Sequence, residues 1–344
     1  MSEAGRIVRV DPAAAIPGGE VIIECTDFNT GQLRSCRAWF ETASGVLVGA
    51  SPRRVLAIVP EVQANGGTNT EVALENNRGR TNTARIAIGI TLAEDLHLVA
   101  NPAFDPDSGA LYVTRSGSRG QRMPVSLFRI DSDGEVNGLS GEIVNPTAIA
   151  FDRNGSMFVT SRMDGTVYRI TPFNEAVPFA KDLGVATGLA FDRMGRMYVG
   201  DRTGTIYRVN DIGEAMEWAH LEPSVSAYHL AFGPDGALYV TGPTVSSFDA
   251  VMRIDETGDV ELFYRGLGRP QGLAFDREGN LYVAASSRGR RGIVRIEPDG
   301  SDAEMAVAGM NVVGLAFSSD GNMVVATNEA IYRVPFGARG TLLS

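Results

Sequence analysis

Apolar and polar positions alternate in short runs that stop at Gly, Asp or Asn, a pattern of strands and tight turns rather than of helices. One phrase organises it: Gly272-Leu273-Ala274-Phe275-Asp276, then Gly279, then Leu281-Tyr282-Val283. The phrase recurs with its aromatic at Phe104, Phe151, Phe191, Phe232, Phe275 and Phe317, at intervals of 47, 40, 41, 43 and 42 residues, where propeller blades fall. Each copy predicts a hairpin. Its turn carries Gly109, Gly155, Gly195, Gly236, Gly279 or Gly321, and the strand that follows reads like Met157-Phe158-Val159 or Met197-Tyr198-Val199, with Met323-Val324-Val325 in the last copy. A third strand is marked by Arg129, Arg169, Arg208, Arg253, Arg295 or Arg333, whose regular recurrence predicts structural pairing with turn carboxylates such as Asp105, Asp152, Asp192 and Asp276. Such a blade has two apolar faces and buries them only by stacking around a closed ring. The fold expected for residues 89–344 is therefore a six-bladed β-propeller.

Residues 1–88 lack the repeat. Runs beginning at Ile7, Glu20, Cys36, Gly45, Arg54, Thr70 and Thr83 predict seven short strands, with turns at Pro17-Gly18-Gly19 and Asn76-Asn77-Arg78-Gly79, which suits an Ig-like β-sandwich. The whole chain is expected to be all-β, with helix nearly absent. At the junction, residues 90–97 align with the fourth strand of a later blade, while the last repeat has only three strands. Residues 90–97 are accordingly expected to supply the outer strand of blade six and close the ring.

Two resemblances follow from these motifs. Ile7 with Pro12, Gly18-Gly19, Phe28, Val59-Pro60 and Asn76 with Gly79 resemble the IPT/TIG immunoglobulin-like domain. Arg269-Pro270-Gln271-Gly272-Leu273-Ala274-Phe275 resembles the six-bladed senescence marker protein and gluconolactonase family and the related NHL-repeat propellers. The second resemblance implies a channel cation held by Glu, Asn and Asp. Only Asp201 matches that set, with Ala100 where Glu stands and Gln271 or Thr187 where Asn stands. One carboxylate among neutral partners offsets little of the dehydration of a hard ion. A binding propeller with an accessory interaction domain is therefore expected, without a cofactor. A gluconolactonase-like lactone hydrolase or lyase with an atypical calcium or zinc site is the alternative, with Asp201 as its metal candidate.

Composition narrows the partners. A net charge of −10 disfavours nucleic acid and anionic membrane, which reward basic surfaces. The N-terminal residues show no secretory signal pattern, so a cytoplasmic protein is expected. Cys25 and Cys36 match no zinc or disulfide spacing and leave two readings open, a pair across a hairpin or two buried thiols.

Residues that open first strands or follow second strands should line the channel of a propeller. Thr147, Thr187, Tyr228 and Gln271 open first strands, and Arg115 and Asp201 close second strands. Arg119 and Arg122 follow in the first of the arginine-bearing loops, Arg162 and Arg202 in the next two, and Arg288, Arg290 and Arg291 in a later one. If these converge they favour a small anionic molecule or an acidic protein surface, against the plain reading of solvated loop charges. His229 beside Tyr228, with Asp201 from the neighbouring blade, is a candidate acid and base pair, against the plainer reading of a histidine that satisfies backbone groups.

Overall fold

A computed structural model describes residues 4–31, 33–62, 70–117, 121, 123–139, 142–245 and 249–341. These residues form an all-β protein with a propeller arrangement. Five four-stranded sheets have strand orders that follow the chain: 103–139, 146–180, 186–220, 229–267, and 312–335 completed by Ile90–Ala93. The only helix among the described residues is a single 3-10 turn, Leu33–Ser35.

The hairpin at 186–201 shows why the repeated phrase folds as it does. Phe191 pairs with Met197 across the turn, and Asp192 accepts the amides of Met194 and Arg196 at 2.8 and 2.9 Å. Gly195 sits at φ 81°, a conformation that costs glycine little. One oxygen of the turn aspartate is thus spent on backbone donors, and the other accepts from Arg196 Nε at 2.5 Å. Asp152 and Asp276 cap their turns in the same way. The third-strand arginines consequently find other partners: Arg129 pairs with Asp131, Arg253 with Asp235 and Glu261, and Arg295 with Glu297 and Glu304. The expected pairing of these arginines with turn carboxylates thus holds at Asp131 and Asp235, but it is corrected for Asp105, Asp152, Asp192 and Asp276, with which no third-strand arginine forms an ion pair among the described residues.

Between blades, aromatic rings interlock. Tyr198 of one sheet meets Phe232 of the next at 5.1 Å, Tyr239 meets Phe275 at 4.8 Å, and Tyr282 meets Phe317 at 5.1 Å, all edge to face. Trp218 and Phe263, at bulges in fourth strands, close over Tyr198 and Tyr239 from the other side.

A 13-stranded sheet holds the remainder. At one end, Leu273–Phe275, Leu281–Ser287, Arg290–Ile296 and Ala303–Ala308 pair in the order of the other sheets, and Leu273–Phe275 packs between His229–Phe232 and Val312–Phe317. At the other end lie the strands of the N-terminal unit, around Val21, Ile23, Phe28, Phe40, Leu74 and Ile86. The long strand Ala43–Ser51 joins two groups of strands there, pairing first with Arg37–Phe40 and then with Arg54–Ile58. Cys25 and Cys36 are free thiols buried in that core, and burial pushes Cys25 up to about 11.

The two ends meet through a strand the sequence pattern does not mark. Ala14–Ala15 pairs parallel with Ala84–Ile88 on one side and with Ala308 on the other. Arg290 donates to the Asp11 carboxylate at 2.6 Å and to its carbonyl at 2.8 Å, across the same seam.

Candidate functional site

The register fixes which residues share one end of the ring. Pro146 opens its strand opposite Ser161, which ends the next, so first-strand openings and second-strand ends lie level. Arg115 and Asn328 directly follow second strands ending at Thr114 and Thr327, and Asn145 directly precedes Pro146. At this end hydroxyls stitch neighbouring blades together: Thr114 donates to the Thr147 carbonyl at 2.9 Å, Ser116 to the Pro146 carbonyl at 2.6 Å, and Thr241 to the Gln271 carbonyl.

Four buried polar atoms here have no partner: Arg115 Nε, Asn145 Oδ1, Thr147 Oγ1 and Asn328 Oδ1. They belong to the 103–139, 146–180 and 312–335 sheets. Leu111 and Val113 share a core cluster with Val324 and Ala326, and the Leu111–Thr114 strand packs on Pro146–Phe151, so these three sheets are consecutive. Leaving a buried polar group unpaired costs about 1–3 kcal/mol, and four of the seven such side-chain atoms among the described residues fall at this end of one arc of the ring. Arg162, half-buried in the next loop, has its guanidinium held below the ordinary value, first by burial and then by the charge of exposed Arg202. Neither Arg162 nor Arg202 forms an ion pair among the described residues. Arg288, at φ 51°, is exposed in the loop after Leu281–Ser287.

The other predicted site residues are committed to structure. Asp201 is 3% exposed and accepts from the amides of Val185 and Thr203 at 2.8 and 3.1 Å and from the Thr203 hydroxyl. That arrangement fixes a loop and leaves a cation poorly served. Among the described residues no three His, Cys, Asp or Glu side chains come together as a metal-binding group. The residues present do not fit the channel cation that the family resemblance implies. His229 is buried without an ion pair to Asp201, and burial alone pushes its pKa down to about 4. Tyr228 donates its hydroxyl to the Glu222 carbonyl, and its own amide donates to Thr187 Oγ1 at 3.0 Å. Burial, then Asp201, holds the Tyr228 phenol well above its usual range. Gln271 is half-buried, and its backbone amide donates to the Ala284 carbonyl at 2.8 Å while its carbonyl accepts from the Thr241 hydroxyl.

Of the arginines, Arg290 is spent on Asp11, because the N-terminal unit lies against its strand, and it is withdrawn from the candidate set. Arg119 and Arg122 lie outside the described residues. Asn101 escaped the sequence reading. Its amide donates to the Leu273 carbonyl at 2.8 Å and its Oδ1 accepts from Leu315 at 3.0 Å, where a Cβ on Gly314 would stand 2.7 Å from the Asn101 Cα. The available signal is glycine three positions before the repeat aromatic, at Gly188, Gly272 and Gly314, which marks a close approach.

The comparisons with known proteins agree with this geometry at the level of fold. The WD domain, G-beta repeat, family matches residues 135–168. No curated protein matches the chain. Among solved structures, an auxiliary nutrient binding protein from Bacteroides thetaiotaomicron is similar over 98% of both chains, at 15% identity and a TM-score of 0.56. A gluconolactonase from Xanthomonas campestris is similar over 73% of this chain and 89% of its own, at 19% identity and a TM-score of 0.58. The virginiamycin B lyase of Staphylococcus aureus is similar over 72% of this chain and 97% of its own, at 15% identity and a TM-score of 0.51. The chain is an all-β propeller protein whose structural neighbours include gluconolactonase-like and nutrient-binding proteins.

Proposed function

We propose that this protein is a binding propeller that takes a small anionic ligand, a sugar acid or similar carboxylate, at the end of the ring where Arg115, Arg162 and Arg202 stand. The observation that carries the reading is the arc of unpartnered buried polar atoms, Arg115 Nε, Asn145 Oδ1, Thr147 Oγ1 and Asn328 Oδ1. Guanidinium donors beside a hydroxyl and amide oxygens match a carboxylate that also carries hydroxyl groups. In this reading the 273–308 strands are the sixth blade, and Ile90–Ala93 closes the last blade by pairing with Ile331–Pro335. The N-terminal unit serves as an Ig-like domain of the IPT/TIG kind. The likeness to the auxiliary nutrient binding protein extends over 98% of this chain, the N-terminal unit included.

Calorimetric titration with gluconate and galacturonate tests the proposal. Wild type should bind one of them saturably, and Arg115→Gln and Thr147→Val should each weaken it about tenfold, the worth of one charge-assisted or buried hydrogen bond. Absence of affinity for either acid, or undiminished binding in both variants, rejects the site. Lactone hydrolysis that requires added Ca²⁺ or Zn²⁺ would put a metal-dependent enzyme in its place.

A further inference from the structure

The aromatic ring ladder between blades is broken at one junction, and the break leaves a cavity. In the 229–267 sheet, Tyr239 fills the space between Phe263 of its own fourth strand and Phe275 of the next sheet, at 4.9 and 4.8 Å. Its hydroxyl donates to Asp235 at 3.3 Å, and Arg253, which pairs with Tyr239 across the strands, donates to the same carboxylate at 2.9 Å. Tyr198 and Tyr282 repeat the contact, reaching Asp192 at 3.5 Å and Asp276 at 3.2 Å.

The last blade has the same frame with the rings missing. Asp320 stands three residues after Phe317 as Asp235 stands three after Phe232, and Arg333 pairs with Val324 as Arg253 pairs with Tyr239. Val324 takes the place of the tyrosine. Leu92, at the register shift between Thr91 and Ala93, takes the place of Phe263. A cavity of about 230 Å³ opens there, lined by the apolar Leu92, Phe104, Leu111, Ile130 and Val324 and by polar groups that include Asp320 and Arg333. Arg333 is the one third-strand arginine whose side chain has no hydrogen bond or ion pair among the described residues. Asp320 accepts from the Ser318 hydroxyl and, at 2.8 Å, from Asn322 Nδ2, and a carboxylate has lone pairs for more.

We infer that this cavity is a binding site for a small monocyclic phenol. The ring replaces the absent tyrosine side chain against Phe104, Leu92 and Val324. The hydroxyl donates to Asp320 and accepts from Arg333, as the Tyr239 hydroxyl meets Asp235 and Arg253. The charge balance favours a neutral phenol over an aromatic carboxylate, because Asp105, Asp131 and Asp320 all border the opening and only Asp131 is paired with an arginine, Arg129. The site lies between the hairpin turns of adjacent sheets, at the end opposite Arg115, so it stands apart from the channel-end reading.

Titration of the full chain with p-cresol, followed by calorimetry and by the rise in Tm, tests the inference. Wild type should bind one equivalent, while anisole, which keeps the ring and lacks the donor, should bind about tenfold more weakly. Val324→Tyr should raise Tm and abolish p-cresol binding by filling the space from within. Leu92→Phe supplies a second plug should the tyrosine variant fail to fold, and Arg333→Leu should weaken p-cresol about tenfold with the fold intact. No saturable binding by wild type, or binding that persists in the plugged variant, overturns the assignment. Equal affinity for anisole overturns the roles of Asp320 and Arg333.

Discussion

His229 ties a single side chain to the pH dependence of the whole fold. It is 5% exposed, and burial pushes its pKa down to about 4 from 6.5. Between those values the unfolded chain binds a proton that the folded chain refuses, so stability rises as pH climbs from about 4 to about 6.5 and this contribution is constant above. Its full size is about 3 kcal/mol, since each tenfold loss of proton affinity on folding is worth ~1.4 kcal/mol. Urea unfolding of wild type and His229→Gln at pH 4.5 and 7.5 checks this. Wild type should lose more stability on acidification than the variant, and parallel losses would reject the burial argument. Residue type and place in the repeat were legible at such positions, but commitment was not. Asp201 occupies a plausible channel position in the sequence, yet its oxygens are consumed by Val185 and Thr203, and only the loop geometry shows it.

At the scale of strands, the repeat made most of the ring readable because every blade solves one problem with one phrase. The exceptions lie where a strand is too short to carry a pattern. Ala14–Ala15 contributes two small residues to a parallel ladder, which neither alternation nor β-propensity can mark. The missing ring at Val324 is visible as a departure from the tyrosine phrase, although its consequence depends on Leu92, far away in sequence. Ile90–Ala93 offers a direct test of an element. It covers the edge of Ile331–Pro335, with Ile90 opposite Arg333 and Thr91 opposite Tyr332. Successive amides in a strand point to opposite sides, so replacing both Ile90 and Thr91 by proline removes a ladder bond whichever amide faces inward. The double variant should lose about 1–3 kcal/mol and expose an edge that favours self-association. Thermal unfolding with light scattering reads both effects, and an unchanged Tm would mean the edge needs no cover.

On the scale of the whole molecule, the N-terminal unit and the ring share buried surface rather than a tether. Ile16, 1% exposed, packs in the cluster that holds Ile293, Val307, Val312 and Leu315, and its amide donates to the Ala308 carbonyl at 2.9 Å. Arg290 and Asp11 form an ion pair across the seam, its arginine side chain 19% exposed. Apolar burial of this kind couples the unfolding of two units when separating them exposes more than either can tolerate alone. Wild type should therefore melt in one calorimetric transition. Ile16→Asp places a carboxylate in the apolar seam, where desolvation opposes its charge, and should split the trace into two transitions with the N-terminal unit released. Arg290→Ala, which removes the ion pair and spares the apolar contact, should keep a single transition at a slightly lower Tm. Two transitions in the wild type, or one unshifted transition in Ile16→Asp, would show that the seam carries no coupling.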